Sequence, residues 1–168
     1  MYINTLKICS SNYFLNFLSK LKKDFYTDFD NWQNVNVESY LEAIIAWLQV
    51  CERLNANDQK YIFSNMLLVD WNMALNIMLQ AVEMLNDSLT FSLKPCIDDA
   101  NPKAFSNALQ IKLDQCYKMN ITLTQKIDVL IDNFIALLRN SEKVNLHEVN
   151  PCVWMFLALI LEVGKIYE

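Results

Sequence analysis

The sequence predicts an all-α, single-domain bundle of about six or seven helices closed by a buried C-terminal helix. Three observations carry that expectation. The chain is 54% hydrophobic over 168 residues, with nine Phe and four Trp, which is enough apolar mass for one sizeable core. It has one Gly and three Pro, too little turn chemistry for a sheet protein built on tight hairpins. Apolar residues recur at helical spacing along most of its length.

The first expected helix covers residues 12–26, capped by Ser11. Phe14, Phe17, Leu18, Leu21 and Phe25 form its apolar stripe, against Lys20, Lys22, Lys23 and Asp24. Residues 1–10 fit either a short strand or an irregular arm. A polar linker, TDFDNWQNVN, then leads to a second helix over 37–54, capped by Asn36. Its buried stripe is Tyr40, Leu41, Ile44, Ile45, Leu48 and Cys51, with Glu38, Glu42, Gln49 and Glu52 opposite. Trp47 lies off the centre of that stripe and fits either a neighbouring helix or a partner.

Asn57 and Asp58 open a third segment, 59–69. Asp70 can cap a fourth, 71–86, unless the two run on as one bent helix. The fourth is Met-rich with a thin polar stripe of Asn72, Asn76, Gln80 and Glu83, which implies burial on most sides. Residues 87–100 read as the longest loop, with an acidic spot at Asp98 and Asp99. A helix from 101 to about 119 follows, opened by Asn101-Pro102, with Phe105, Leu109, Cys116 and Tyr117 inward. The next covers 124–139, with Ile127, Leu130, Ile131, Phe134, Leu137 and Leu138 inside and Asp128 and Asp132 outside.

The last helix has Asn150 as cap and Pro151 as its first residue, where the missing N–H costs nothing. From Val153 to Leu161 it carries no polar side chain, so it belongs at the centre of a bundle. The apolar run is about half of the roughly 20 residues that a bilayer requires, so no membrane span is expected.

The chemistry that the sequence offers is sparse. Gly164 is the only glycine, which excludes a Gly-rich phosphate loop, and His147 is the only histidine, which excludes a multi-His metal site. A nucleophilic pair of Cys152 and His147 is open on proximity alone; a packed thiol and a solvated histidine are the simpler assignments. Glu38 with Glu42, and Asp128 with Asp132, share helix faces but lie on polar sides and lack the Glu-x-x-His partners of a di-iron bundle. No enzyme activity, cofactor or metal is therefore expected. The five cysteines (Cys9, Cys51, Cys96, Cys116, Cys152) are scattered and odd in number. The N-terminus carries no signal-peptide pattern, and a cytoplasmic setting follows.

The net charge of −5 opposes nucleic-acid binding and fits either a basic partner or an acidity that simply aids solubility. Asp28, Asp30, Glu38 and Glu42 surround Trp32 and Tyr40, as charge surrounds aromatic anchors in specific interfaces. The alternative is that Trp32 folds back onto the core and the acids are ordinary solvent-facing residues. Asp28, Asp30, Trp32, Glu38, Glu42, Asp98 and Asp99 are the candidate partner-binding residues.

Two stretches, residues 14–54 and 153–168, resemble a family of small bacterial helical proteins of unknown function. The shared pattern is W-x-N-x-x-x-E-x-Y-L-E-A-x-x-A-W-L, carried here by Trp32, Asn34, Glu38, Tyr40, Leu41, Glu42, Ala43, Ala46, Trp47 and Leu48. A closing W-x-x-x-A-x-x-L-x-x-x-x-x-Y-E follows at Trp154, Ala158, Leu161, Tyr167 and Glu168. In that family the two stretches lie close together. The resemblance thus implies a helical insertion over about 55–150 and a last helix packed on the second.

The expected function is an immunity protein that neutralises a cognate bacterial toxin, as in contact-dependent growth inhibition, by meeting a basic toxin domain with its acidic surface. One alternative is a secretion chaperone or adaptor whose Met-rich helix holds an apolar client segment. A small-ligand binder or enzyme using a core cavity near Cys152 is the second.

Overall fold

The structure, a computed structural model, describes residues 8–52, 69–86, 102–140 and 149–167. Within them the chain is an all-α bundle: α1 (Ser11–Thr27), α2 (Val37–Glu52), α3 (Trp71–Glu83), α4 (Pro102–Lys118), α5 (Ile127–Arg139) and α6 (Pro151–Ile166). One turn of 3-10 helix, Phe29–Asn31, joins α1 to α2. Residues from all six helices share one continuous core. Among the described residues, no helix is long and apolar enough to cross a membrane.

α6 is the element on which the others pack. Val153, Trp154, Phe156, Leu157, Ala158, Ile160 and Leu161 are all buried, and the helix touches α1, α2 and α3. Its start follows the sequence: the Asn150 side chain accepts from the Cys152 N–H at 2.9 Å, and Pro151 is the first helical residue. Aromatic contacts tie it sideways. The Phe14 and Trp154 ring centres are 5.2 Å apart, and Phe156 meets Trp71 at 4.7 Å and Phe105 at 4.9 Å, both edge to face. Burying each such side chain contributes on the order of 1.5–3 kcal/mol.

The stripes of α1, α2 and α5 are buried as their periodicity predicts. Local details differ for physical reasons. α1 is capped by Ser10 rather than Ser11, its hydroxyl accepting from the Tyr13 N–H at 3.2 Å. At Asp70 the backbone is extended and the side chain caps Met73, so α3 begins afresh at Trp71 and is not the continuation of a bent helix. Residues 59–68 lie outside the described residues, as do 1–7, the whole of the expected 87–100 loop with Cys96, Asp98 and Asp99, and His147.

α5 starts at Ile127 rather than 124, because the residues before it serve α2. The Leu123 and Gln125 carbonyls accept from the Glu38 and Val37 N–H groups at 3.0 and 2.9 Å, and Lys126 bridges to Asn36. Those N–H groups belong to the first turn of α2 and have no partner within their own helix. α4 ends without glycine: Asn120 takes the left-handed conformation (φ 58°), and the Ile121 N–H reaches back to the Cys116 carbonyl at 2.9 Å. Tyr117 was expected to face inward and does not. It is 38% exposed, because its hydroxyl reaches across to carboxylates of α2.

Candidate functional site

The polar residues of the linker and α2 divide into two groups. The first faces outward. Glu38 and Glu42 stand one turn apart on α2, and the Tyr117 hydroxyl of α4 lies 3.1 Å from Glu38 Oε1 and 2.7 Å from Glu42 Oε1. One hydroxyl has one proton, so it donates to one carboxylate at a time. Burial, and then the two carboxylates, push this hydroxyl far above the ordinary tyrosine range.

In the linker, Asp30 lies exposed in the 3-10 turn, and Asp28 accepts a hydrogen bond from the Asn31 side chain. The Lys126 ammonium sits 6.0 Å over the exposed Phe29 ring. Among the described residues, none of Asp28, Asp30, Glu38 and Glu42 takes part in an ion pair. Tyr117, which meets both glutamates, is itself partly exposed.

The second group faces inward and meets the C-terminal half of α6. Of the two readings of Trp32, the fold-back onto the core is the one observed. The ring is 4% exposed, edge-on to Phe25 and stacked on Tyr40, so Trp32 is not a surface anchor. Its indole N–H donates to Asp24 Oδ2 at 3.1 Å. The same oxygen lies 2.6 Å from the buried Lys165 ammonium, which sits 5.6 Å over the Trp32 ring. Burial alone would raise the Asp24 pKa; the hydrogen bonds from Lys165 and Trp32 outweigh it and hold the carboxyl below its ordinary range.

Asn34 completes this latch. Its side-chain amide donates to the Gly164 and Tyr167 carbonyls at 3.0 and 2.7 Å, and the Gln33 N–H donates to the Lys165 carbonyl at 3.0 Å. The last turn of a helix leaves its carbonyls without internal partners, and these bonds supply them. The Tyr40 hydroxyl donates to the Leu161 carbonyl. Gly164 allows the close approach: a Cβ there would lie 2.7 Å from Tyr40 Cε2 and 2.9 Å from Ile44 Cγ1. α6 therefore packs on α2, as the resemblance implied.

Sequence reasoning missed Asp24, Glu162 and Lys165 as a cluster. Glu162 Oε1 is 3.8 Å from Lys165, its other oxygen is buried without a hydrogen bond, and burial raises its pKa despite the lysine. The available signal was two charges closing an otherwise apolar helix, but their partner is 141 residues away from Lys165 in sequence, at Asp24.

The remaining candidates have structural surroundings. Trp47 is half-buried against the core, and Asp128 and Asp132 are bound by Tyr26 and Lys22 of α1 at 2.7 and 2.6 Å. Cys152 is half-buried in the first turn of α6. Cys116 is buried, which pushes its thiol pKa up.

A helical bundle with an internal latch and an outward acidic face is the class that these observations define. Residues 10–84 match a family of unknown function, DUF7660. The match takes in α1, α2 and α3, and with them Asp24, Trp32, Asn34, Glu38, Tyr40 and Glu42. No curated protein and no solved structure matches the chain.

Proposed function

We propose that this chain is a bacterial immunity protein, a cytoplasmic binding protein that neutralises a cognate toxin. It would dock Asp28, Asp30, Glu38 and Glu42 on a basic toxin domain. One observation carries the reading. Glu38 and Glu42 are gathered on the hydroxyl of one partly exposed tyrosine, with no ion-pair partner among the described residues. A charge held this way is pre-oriented and is worth most when a partner's cation covers it. It also steers a basic partner during diffusion.

The chaperone reading has less support. Its Met-rich helix, α3, directs Ala74, Leu75, Ile77, Met78, Leu79, Ala81 and Val82 into the bundle.

Growth is the test. The product of the reading frame adjacent to this one should arrest cells when expressed alone, and co-expression of this chain should restore growth. A harmless neighbour, or arrest that co-expression leaves unchanged, contradicts the proposal.

A further inference from the structure

α1 and α5 run side by side, and the Lys22–Asp132 ion pair and the Tyr26–Asp128 hydrogen bond join them. Between them lies an open groove of about 430 Å³, lined by Ser19, Lys22, Lys23, Tyr26, Thr27, Asp132, Ile135 and Arg139. Its volume falls within the range of small-molecule sites, about 300–1,000 Å³. Its lining is opposite in charge to the chain: three cations face Asp132, with Asp128 held behind the wall on the Tyr26 hydroxyl, in a protein of net charge −5.

Asp132 is already engaged by Lys22 at 2.6 Å, which leaves Lys23 and Arg139 as the cations free to act on a ligand. Neither makes an ion pair with any described residue. The groove also has an aromatic wall. The Tyr26 hydroxyl is tied to Asp128 at 2.7 Å, which orients its exposed ring, and Ile135 adds an apolar surface.

We infer that this groove binds a small organic anion. Arg139 and Lys23 take its phosphate or carboxylate group, and its flat or apolar body lies against Tyr26 and Ile135. A guanidinium matches two oxygens of such a group in one plane, while an ammonium adds a point charge. The groove is built from α1 and α5, whereas the proposed toxin-binding acids lie on the 3-10 turn, its capping residue Asp28 and α2, and none of them lines the groove. The inference therefore stands independently of the immunity reading.

The test is a backbone amide NMR titration of the whole chain with inorganic pyrophosphate, phenyl phosphate and benzoate, each against sodium chloride at equal ionic strength. The expected result is saturable shifts confined to residues 19–27 and 132–139. Phenyl phosphate should bind more tightly than pyrophosphate if the Tyr26 wall contributes. Shifts with phenyl phosphate but not benzoate assign a phosphate ligand; the reverse assigns a carboxylate.

Lys23→Gln and Arg139→Gln should each weaken binding about tenfold, the scale of one charge-assisted contact. The exposed Lys20→Gln, outside the groove, should leave it unchanged, and the spectra themselves report whether each variant is folded. The inference is overturned by shifts that chloride reproduces, that do not saturate with any of the three, or that persist undiminished in both groove variants.

Discussion

Asp24 and Glu42 are both carboxylates within the stretch that matches one family, yet they end in opposite situations. Asp24 is half-buried, paired with the buried Lys165 and bonded to Trp32. Glu42 is exposed, shares a tyrosine hydroxyl with Glu38, and has no ion pair among the described residues. One pattern, W-x-N-x-x-x-E-x-Y-L-E, therefore does two jobs. Its Trp, Asn and Tyr point inward and fasten α6, while its two Glu point outward. The fold consumes the first set, and the second is available to a partner.

Substitutions can break that contrast, and those in the latch should have the larger effects. Lys165→Ala leaves the half-buried Asp24 without its cation and should cost about 2–4 kcal/mol in denaturant unfolding, somewhat less than for a fully buried pair. The pair replacement Asp24→Asn with Lys165→Met should recover much of that loss. Equal destabilisation of the single and double variants would show that the ion pair is not what holds this end of α6.

Gly164→Val places atoms where Tyr40 and Ile44 already lie, and overpacking of this kind costs about 1–3 kcal/mol. Gly164→Ala should act in the same direction with a smaller loss. Unchanged denaturation midpoints would mean that α2 and α6 separate more easily than their contacts imply.

The latch acids should give opposite pH dependences. The Asp24 pKa is depressed in the fold, so its contribution is present above the ordinary carboxylate range and is lost as the pH falls through its folded value. The Glu162 pKa is raised, so its protonated form suits the fold. Its contribution is present in acid and lost as the pH rises through its folded value. Glu162→Gln should therefore raise the Tm at pH 7, with the gain vanishing in acid. Asp24→Asn should lower the Tm at pH 7, with the loss shrinking in acid. Thermal melts from pH 3 to pH 8 would read both, and a Glu162→Gln variant less stable at neutral pH would reverse the assignment.

On the outward face, Tyr117→Phe removes one partly exposed hydrogen bond, worth about 1 kcal/mol or less. Its cost should add to that of Lys165→Ala, since the two share no partners. Non-additivity would mean that the face and the latch are mechanically coupled.

Much of the bundle was legible in the sequence because periodicity reports burial directly. The stripes of α1 and α5, and the all-round apolar α6 with its Asn150-Pro151 start, depend only on which residues must leave water. The differences arise where distant segments supply hydrogen bonds. Tyr117 fits an inward stripe by spacing, but Glu38 and Glu42 across the α2–α4 seam draw it out. α5 begins late because residues 123–125 supply carbonyls to α2.

For the candidate site, the same limit applies. The exposure of Asp30 and Glu42 could be anticipated from helix phase. The burial of Trp32 could not, because it depends on Asp24 and Lys165 meeting across the bundle.

Association kinetics test the central claim most directly: that the outward acids, and not the latch, meet a basic toxin domain. The on-rate of this chain for that domain should fall steeply as salt rises. A variant with Asp28, Asp30, Glu38 and Glu42 all changed to Ser should associate about tenfold or more slowly, with a flattened salt dependence and only the small loss of Tm that follows from the lost Tyr117 and Asn31 hydrogen bonds. An on-rate indifferent to both salt and the four substitutions would contradict the account.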